Sequence, residues 1–181
     1  FAKCSRMMLT VHRLPQPVIA QVHGLATAAG CQLVATCDLA IAGADARFAT
    51  SGINVGLFCT TPGVALGRAV ARKQAMEMLL TGDFVTAERA HEIGLINAVV
   101  SADELDAAAR ALAARLTAKS AHALMLGKQV FYRQLEMGVD DAYAFAAREM
   151  ARNMMDRDAA EGVDAFIAKR APAWDQTRRD G

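Results

Sequence analysis

One segment, residues 17–38 (PVIAQVHGLATAAGCQLVATCD), limits the folds open to this chain more than any other. It begins with an apolar, β-branched run over residues 18–22 that follows a proline and lies just before Gly24, a pattern that predicts a buried strand ending in a turn. Residues 26–30 have almost no side-chain bulk, and a helix is predicted to start at Cys31. The segment therefore predicts a strand, a tight turn and a helix that lie close together.

The small-residue stretch has two interpretations. A helix start leaves backbone N–H groups without partners inside the helix and carries the positive end of the helix dipole, so it can hold an anion or a developing oxyanion. Small residues are also needed wherever a strand and a helix pack tightly. The stretch alone leaves both a binding site and simple close packing open.

The pattern of predicted secondary structure changes near residue 100. Before that point, short strands alternate with helices, which predicts a wound α/β core. The strands are predicted at 39–42, 47–49 and 95–100, and the helices at 1–13, 64–70, 72–80 and 86–93. After it, the capping-box pattern from Ser101 to Glu104 opens a helix to about residue 118, and helices are predicted at 121–138, 139–157 and 159–170. The predicted regions are therefore a spiral core over residues 1–100 and a helical region over 101–181.

Charge and cysteine spacing argue against several kinds of partner. The net charge is +1 without a concentrated basic stretch, which argues against a nucleic acid. The 4 cysteines form no C-x-x-C pair and the 4 histidines no H-x-x-x-H pair, so neither a metal site nor a disulfide framework is expected, and a reducing cytoplasmic interior is favoured. No apolar run reaches the roughly 18 residues of a membrane span, so a membrane is not an expected partner.

Several separate blocks of this sequence resemble the enoyl-CoA hydratase/isomerase (crotonase) superfamily, and they occur in the same order. The blocks are PVIAQVHGLATAAGCQLVATCDLAIA, FATSGINVGLFCTTPG, AMEMLLTGDFVTAERAHEIGLINAVV and AFIAKRAPAW. More narrowly, AAGCQLVA and NVGLFCTTPGVAL are similar to the branch called enoyl-CoA hydratase domain-containing protein 3. The resemblance implies an α/β fold, with a crotonase-like ββα spiral core followed by an α-helical trimerisation region, and a homotrimer or a dimer of trimers (a hexamer). It also implies that the opening turns of the spiral precede Phe1.

The same resemblance implies an acyl-CoA thioester as partner and no separate cofactor, because coenzyme A is part of the substrate. In the superfamily two backbone N–H groups form an oxyanion hole that binds the thioester oxygen; Ala29 matches one of these positions and the other lies upstream. The positions that the resemblance assigns to substrate binding are Leu25, Ala28, Gly30, Gly52, Cys59, Phe166 and Lys169. For Phe166 the alternative is a place in the core, for Lys169 a solvated side chain, and for Cys59 buried packing.

The chain differs from the superfamily at the two positions that supply the acid and the base for hydration. Hydration of a 2-enoyl thioester uses two glutamates, and the matching positions hold Gln32 and Gly52. Some isomerases of the superfamily carry a carboxylate where this chain has Thr60. Gln32 and Thr60 can orient a water or the acyl group, or merely satisfy neighbouring polar groups. The usual hydratase mechanism is therefore not expected.

Two functional hypotheses follow from this pattern. The first is a lyase or isomerase of fatty acid metabolism that stabilises a thioester enolate with little side-chain acid or base chemistry. Decarboxylation of an acyl-CoA fits that description best, because loss of CO2 creates the enolate without a base. The second is a catalytically silent protein that binds CoA esters or acts as a regulatory scaffold. The expected location is the bacterial cytoplasm, or the mitochondrion in a eukaryote.

Overall fold

The computed structural model describes residues 1–176, which form two compact units. The first unit comprises Phe1–Leu14 and Val18–Ala113. The second comprises Pro15–Pro17 and the described residues from Ala114 onwards. The boundary expected near residue 100 stays a prediction.

Most of both units is helical. The helices are α1 (Ala2–Arg13), α2 (Ala29–Thr36), α3 (Thr60–Ala69), α4 (Arg72–Thr81), α5 (Ala87–Glu92), α6 (Leu105–Thr117), α7 (Ala121–Gln134), α8 (Val139–Met154) and α9 (Arg157–Ile167). The strands are β1 (Ile19–Val22), β2 (Leu25–Thr27), β3 (Leu39–Gly43), β4 (Arg47–Ala49), β5 (Val85–Thr86) and β6 (Ala98–Val100). Two 3-10 turns cover Ser51–Val55 and Ala102–Glu104. Across the described residues, none of these helices is both long and apolar enough to cross a bilayer.

The strands of the first unit form two small sheets that the chain visits in turn. One sheet has the order β1-β3-β6 with parallel neighbours, and the other has the order β2-β4-β5, in which β5 is antiparallel to β4. Each ββα passage therefore adds one strand to each sheet, as β1 and β2 do before α2, and β3 and β4 do before α3. This alternation is the arrangement expected of a ββα spiral.

Small side chains let successive turns of the spiral approach closely. Ala42 in β3 and Ala46 in the following turn are fully buried, and they lie in the same core cluster as Phe48 and Leu66. Burying an aromatic side chain such as Phe48 contributes about 2–3 kcal/mol. The core of the first unit is thus built from alanines with a few large residues between them.

Several element boundaries differ from the sequence prediction. Strands β2 and β5 were not predicted, because three and two residues are too short to show a hydrophobic period. The run predicted as strand from residue 95 forms a strand only from Ala98, although Leu95 and Ile96 are buried in the core. The capping box is also absent: the Ser101 hydroxyl donates to the Glu104 carboxylate at 2.6 Å, and a 3-10 turn precedes α6.

Buried polar contacts hold the second unit together. The Ser120 hydroxyl accepts from the backbone N–H of Ala123 at the start of α7 and donates to the buried carboxylate of Asp158. Asp156 caps α9 by accepting from the backbone N–H of Asp158 at 2.9 Å. Because buried polar groups are costly unless they are paired, this network fixes the start of α7 against the start of α9.

Candidate functional site

The start of α2 carries backbone N–H groups that the helix itself does not use. The first hydrogen bond of the helix joins the N–H of Gln32 to the carbonyl of Ala28 at 2.9 Å, so the N–H groups of Ala29, Gly30 and Cys31 precede it. Ala29 and Gly30 are exposed, and a Cβ atom built on Gly30 would meet nothing within 4 Å. The helix start is therefore open enough for a ligand to reach the backbone.

A strained residue sets the turn into this helix. Ala28 has φ +47° and ψ −111°, a conformation that residues other than glycine rarely adopt and that costs about 1–3 kcal/mol. Its N–H donates to the carbonyl of Ala49 at 2.9 Å, next to the parallel pairing of β2 with β4. The sharp turn at Ala28 leaves the next N–H, that of Ala29, outside both the strand pairing and the helix.

Gln32 is a buried polar side chain one helical turn beyond Ala29. Its side chain is 5% exposed, and its Oε1 lies 4.0 Å from the Cys4 sulfur of α1. Residues three apart lie on the same face of a helix, so the Gln32 side chain and Ala29 share one face of α2. The structure thus places a buried amide one turn beyond the open helix start.

The place where a side chain of residue 52 would begin is already filled. A Cβ built on Gly52 would lie 2.6 Å from the carbonyl oxygen of Leu57 and 2.8 Å from the sulfur of Cys59. The loop is held in this form by the Leu57 N–H, which donates to the Gly52 carbonyl at 2.9 Å. The position therefore lacks both the second acid and the room for one.

Cys59 and Cys31 are both buried in the core of the first unit. They are 8% and 1% exposed and lie in the same apolar cluster. Burial, with a smaller contribution from the neighbouring Cys59, raises the pKa of Cys31 to about 12. A thiol with so high a pKa stays protonated near neutral pH. Cys59 is buried as the packing interpretation expects, and its assignment to substrate binding stays a prediction.

Thr60 and Asp38 provide no base at this site. Thr60 is the exposed first residue of α3, which packs against α2, and its hydroxyl has no hydrogen-bond partner within residues 1–176. The carboxylate of Asp38 accepts from the backbone N–H of Val18 at 2.6 Å. Thr60 stays a predicted site residue, and its exposed hydroxyl is available for a hydrogen bond.

Phe166 and Lys169 lie in the second unit. Phe166 is 85% exposed at the end of α9, so the interpretation that it belongs to the core is wrong for the chain as described. Lys169 is exposed and has φ +51°. The turn is fixed next to it by Arg170, which pairs with Glu161 at 2.6 Å and, with a further bond from the Ala173 N–H, lowers the pKa of Glu161 to about 2.

Comparison with known proteins decides the family. The family model described as enoyl-CoA hydratase/isomerase matches residues 2–178 of this chain. The chain belongs to the enoyl-CoA hydratase/isomerase family.

Relatives within the family confirm the narrower resemblance as well. Mitochondrial enoyl-CoA hydratase domain-containing protein 3 of Rattus norvegicus is 48% identical over 174 residues, which are 96% of this chain and 58% of the rat protein. The crystal structure of the human protein of that name superposes with a TM-score of 0.93 at 48% identity, covering 96% of this chain and 69% of the human one. A Mycobacterium smegmatis structure described as an enoyl-CoA hydratase gives a TM-score of 0.94 at 59% identity, with 96% and 68% covered. The spiral fold is therefore confirmed, while this chain spans about three-fifths of the rat relative.

Sequence reasoning missed the groups that come to the site from elsewhere in the fold. The carbonyl of Leu57 beside Gly52 and the thiol of Cys4 beside Gln32 were not predicted. A backbone carbonyl has no sequence signal, and Cys4 lies 28 positions from Gln32. The positive φ of Ala28 was missed too, because alanine does not indicate such a conformation.

Two glycine-to-alanine variants of this family site are expected to have opposite effects. Gly52→Ala forces a methyl group against a backbone carbonyl and a buried sulfur, and we expect it to lower the free energy of unfolding by about 1–3 kcal/mol. Gly30→Ala adds a methyl group in open space within a helix and is expected to raise it by about 0.5–1 kcal/mol. Denaturant unfolding of both variants checks this, and a neutral Gly52→Ala would contradict the crowding at residue 52.

Proposed function

We propose that this protein binds an acyl-CoA thioester and stabilises its enolate form through the backbone N–H of Ala29, without the two acids of a hydratase. Family membership supports the substrate class. The observation that carries the proposal is the open start of α2, where the Ala29 N–H precedes the first helical hydrogen bond and Ala29 is exposed. Such a donor stabilises negative charge as it develops on the thioester oxygen.

The chemistry that fits this site needs an enolate and little proton transfer by side chains. Gln32 cannot take a proton from water at neutral pH, and Gly52 has neither a side chain nor the space for one. The site is compatible with a lyase or isomerase reaction that forms the enolate without a side-chain base, such as decarboxylation. The proposed activity concerns the whole protein, and only a part of its relatives' length is covered by this chain.

A second candidate function is a catalytically silent protein that binds CoA esters and acts as a regulator or scaffold. The closed position at Gly52 favours it, because the Leu57 carbonyl and the Cys59 sulfur fill the space that a catalytic side chain would need. The two functions differ in turnover. Incubation with a range of acyl-CoA esters, followed by chromatography and mass spectrometry, gives a product only for the enzyme.

The proposal extends to assembly and location. Exposed apolar side chains on α8 and α9, with Tyr143 at 75%, Met150 at 64% and Ile167 at 72%, support a homotrimer or a dimer of trimers that covers them. The rat and human relatives carry the word mitochondrial in their names, which supports that compartment if the source is eukaryotic. In a bacterium the protein would act in the cytoplasm.

Calorimetry with two matched ligands tests the thioester contact. Butyryl-CoA has a thioester oxygen, and S-butyl-CoA is the corresponding thioether, with no oxygen at that position. One hydrogen bond to the oxygen is worth about 1–1.5 kcal/mol, so butyryl-CoA is expected to bind about tenfold more tightly. Equal affinity for the two ligands, or no binding of butyryl-CoA, would contradict the proposed function.

A further inference from the structure

Helix α1 and the residues that follow it are basic, with no acidic residue to balance them. Residues 1–37 contain the cationic side chains of Lys3, Arg6 and Arg13 and no Asp or Glu, although the whole chain has a net charge of only +1. All three cations belong to α1 and are exposed. Such an uneven distribution of charge is typical of a surface that binds a polyanion.

The three cations lie on one side of α1. Lys3 and Arg6 are three residues apart and Arg13 follows Arg6 by seven, so helical geometry places them on neighbouring turns of the same face. The opposite side contains Met8, which is buried in the first unit with 6% exposure. Helix α1 therefore packs through one side and presents a row of positive charge on the other.

The charge of this row is not neutralised by the chain itself. Over residues 1–176, Lys3, Arg6 and Arg13 form no ion pair. Three other helices differ, because an arginine in each pairs with an acid of the same helix: Arg89 with Glu92, Arg110 with Asp106 and Arg152 with Glu149. Helix α1 has no acid with which to do so.

Exposed apolar side chains border the cations on both sides. Leu9 is 44% exposed and lies between Arg6 and Arg13 at helical spacing, while Met7 is 43% exposed and follows Lys3 by four residues. Cations with apolar neighbours suit the boundary of a lipid bilayer, where Lys and Arg contact headgroup phosphates and apolar groups enter the acyl layer. A nucleic-acid backbone offers the phosphates without an apolar layer.

We infer that the exposed face of α1 binds the surface of an anionic lipid bilayer. Three cations attract the headgroup phosphates, and Met7 and Leu9 contribute apolar contact beside them. Attachment to a surface needs no helix that spans the membrane, so it is compatible with the lengths of the described helices. The surface is separate from the start of α2, and its binding does not depend on the proposed acyl-CoA site.

Co-sedimentation of the whole protein with lipid vesicles tests the inference. The vesicles consist of phosphatidylcholine alone or of equal parts phosphatidylcholine and phosphatidylglycerol. At low ionic strength the anionic vesicles are expected to bind the protein at least about tenfold more tightly, because each cation near an anionic surface contributes several-fold. Salt at about 0.5 M is expected to remove this preference by screening. Equal binding to both kinds of vesicle, or binding to neither, would overturn the inference.

Charge reversal shows whether α1 is responsible. The triple variant Lys3→Glu, Arg6→Glu, Arg13→Glu is expected to lose the preference for anionic vesicles, and the single variant Arg6→Gln is expected to lose about threefold in affinity for them. A matched control makes the same change in net charge at exposed cations outside α1: Arg72→Glu, Lys73→Glu and Arg115→Glu. The control is expected to keep its affinity within about threefold. Equal losses in the two triple variants, or full affinity in Arg6→Gln, would contradict a site on α1.

Duplex DNA of random sequence distinguishes a bilayer from polyanions in general. Leu9→Ser is expected to weaken binding to the anionic vesicles about three- to tenfold, because it removes the apolar contact and leaves the charge unchanged. At the same salt concentration, DNA is expected to bind at least about tenfold more weakly than the vesicles. DNA binding as tight as vesicle binding, or vesicle binding that is unaffected by Leu9→Ser, would assign the face to polyanions in general and overturn the inference.

Discussion

Hydration of crotonyl-CoA by this protein is expected to run at least about 10⁴-fold more slowly than hydration by a family member that has both glutamates. Each positioned acid or base contributes about 10²–10⁴-fold, and both are missing here, at Gln32 and Gly52. Loss of the absorbance of the conjugated thioester measures the rate, with a two-glutamate relative assayed in parallel.

A single substitution is not expected to restore the hydration rate. Gln32→Glu restores a carboxylate beside the open helix start, but Gly52 cannot receive one without moving the Leu57 carbonyl and the Cys59 sulfur. We therefore expect the hydration rate of Gln32→Glu to stay more than about 10²-fold below that of the relative. Wild-type turnover within tenfold of the relative would mean that another group supplies the proton transfer.

Removal of the Ala29 N–H is expected to lower the rate of enolate formation by about 10²–10³-fold, which is the usual cost of losing one oxyanion donor. The cleanest change replaces the amide before Ala29 by an ester, which removes the hydrogen and leaves the side chain in place. Exchange of the α protons of a bound acyl-CoA in D2O measures enolate formation directly. The same replacement at Gly30, the next unpaired N–H of α2, provides the control.

The Gly30 ester is expected to lose less than about tenfold, since it removes a first-turn N–H without touching the proposed oxyanion donor. Equal losses at both positions would indicate a general effect of the helix dipole. No loss at Ala29 would contradict its role as donor. Circular dichroism of both esters checks that α2 still forms.

Local sequence patterns correctly predicted several strands and one short helix. β1, β3 and β4 follow from short apolar runs ended by glycine or a turn. The helix predicted at 86–93 is observed as α5, and the Thr86 side chain caps it by accepting from the Arg89 N–H. The starts of α2 and α3 lie two and four residues earlier than predicted, because Ala29 and Thr60 carry no strong signal for a helix start. The family's sequence blocks, rather than periodicity, indicated the spiral.

At the candidate site, sequence identified the residues but not their surroundings. Gln32 and Gly52 were recognised from the sequence as departures from a two-glutamate pattern. In the structure, other segments of the chain contact both positions. The burial of the Gln32 amide and the filled space at Gly52 depend on Cys4, Leu57 and Cys59 coming close through the fold. Such contacts depend on tertiary structure, so no local sequence pattern predicts them.

The central claim is that the Ala29 N–H polarises a bound thioester. Difference Raman spectroscopy of an enoyl-CoA bound to the protein tests it most directly, because a hydrogen bond to the carbonyl oxygen weakens the C=O bond. We predict a carbonyl stretch at lower frequency in the complex than in water, and its return toward the value in water when the amide at Ala29 is replaced by an ester. A stretch that is the same in water, in the wild-type complex and in the ester complex would contradict the claim.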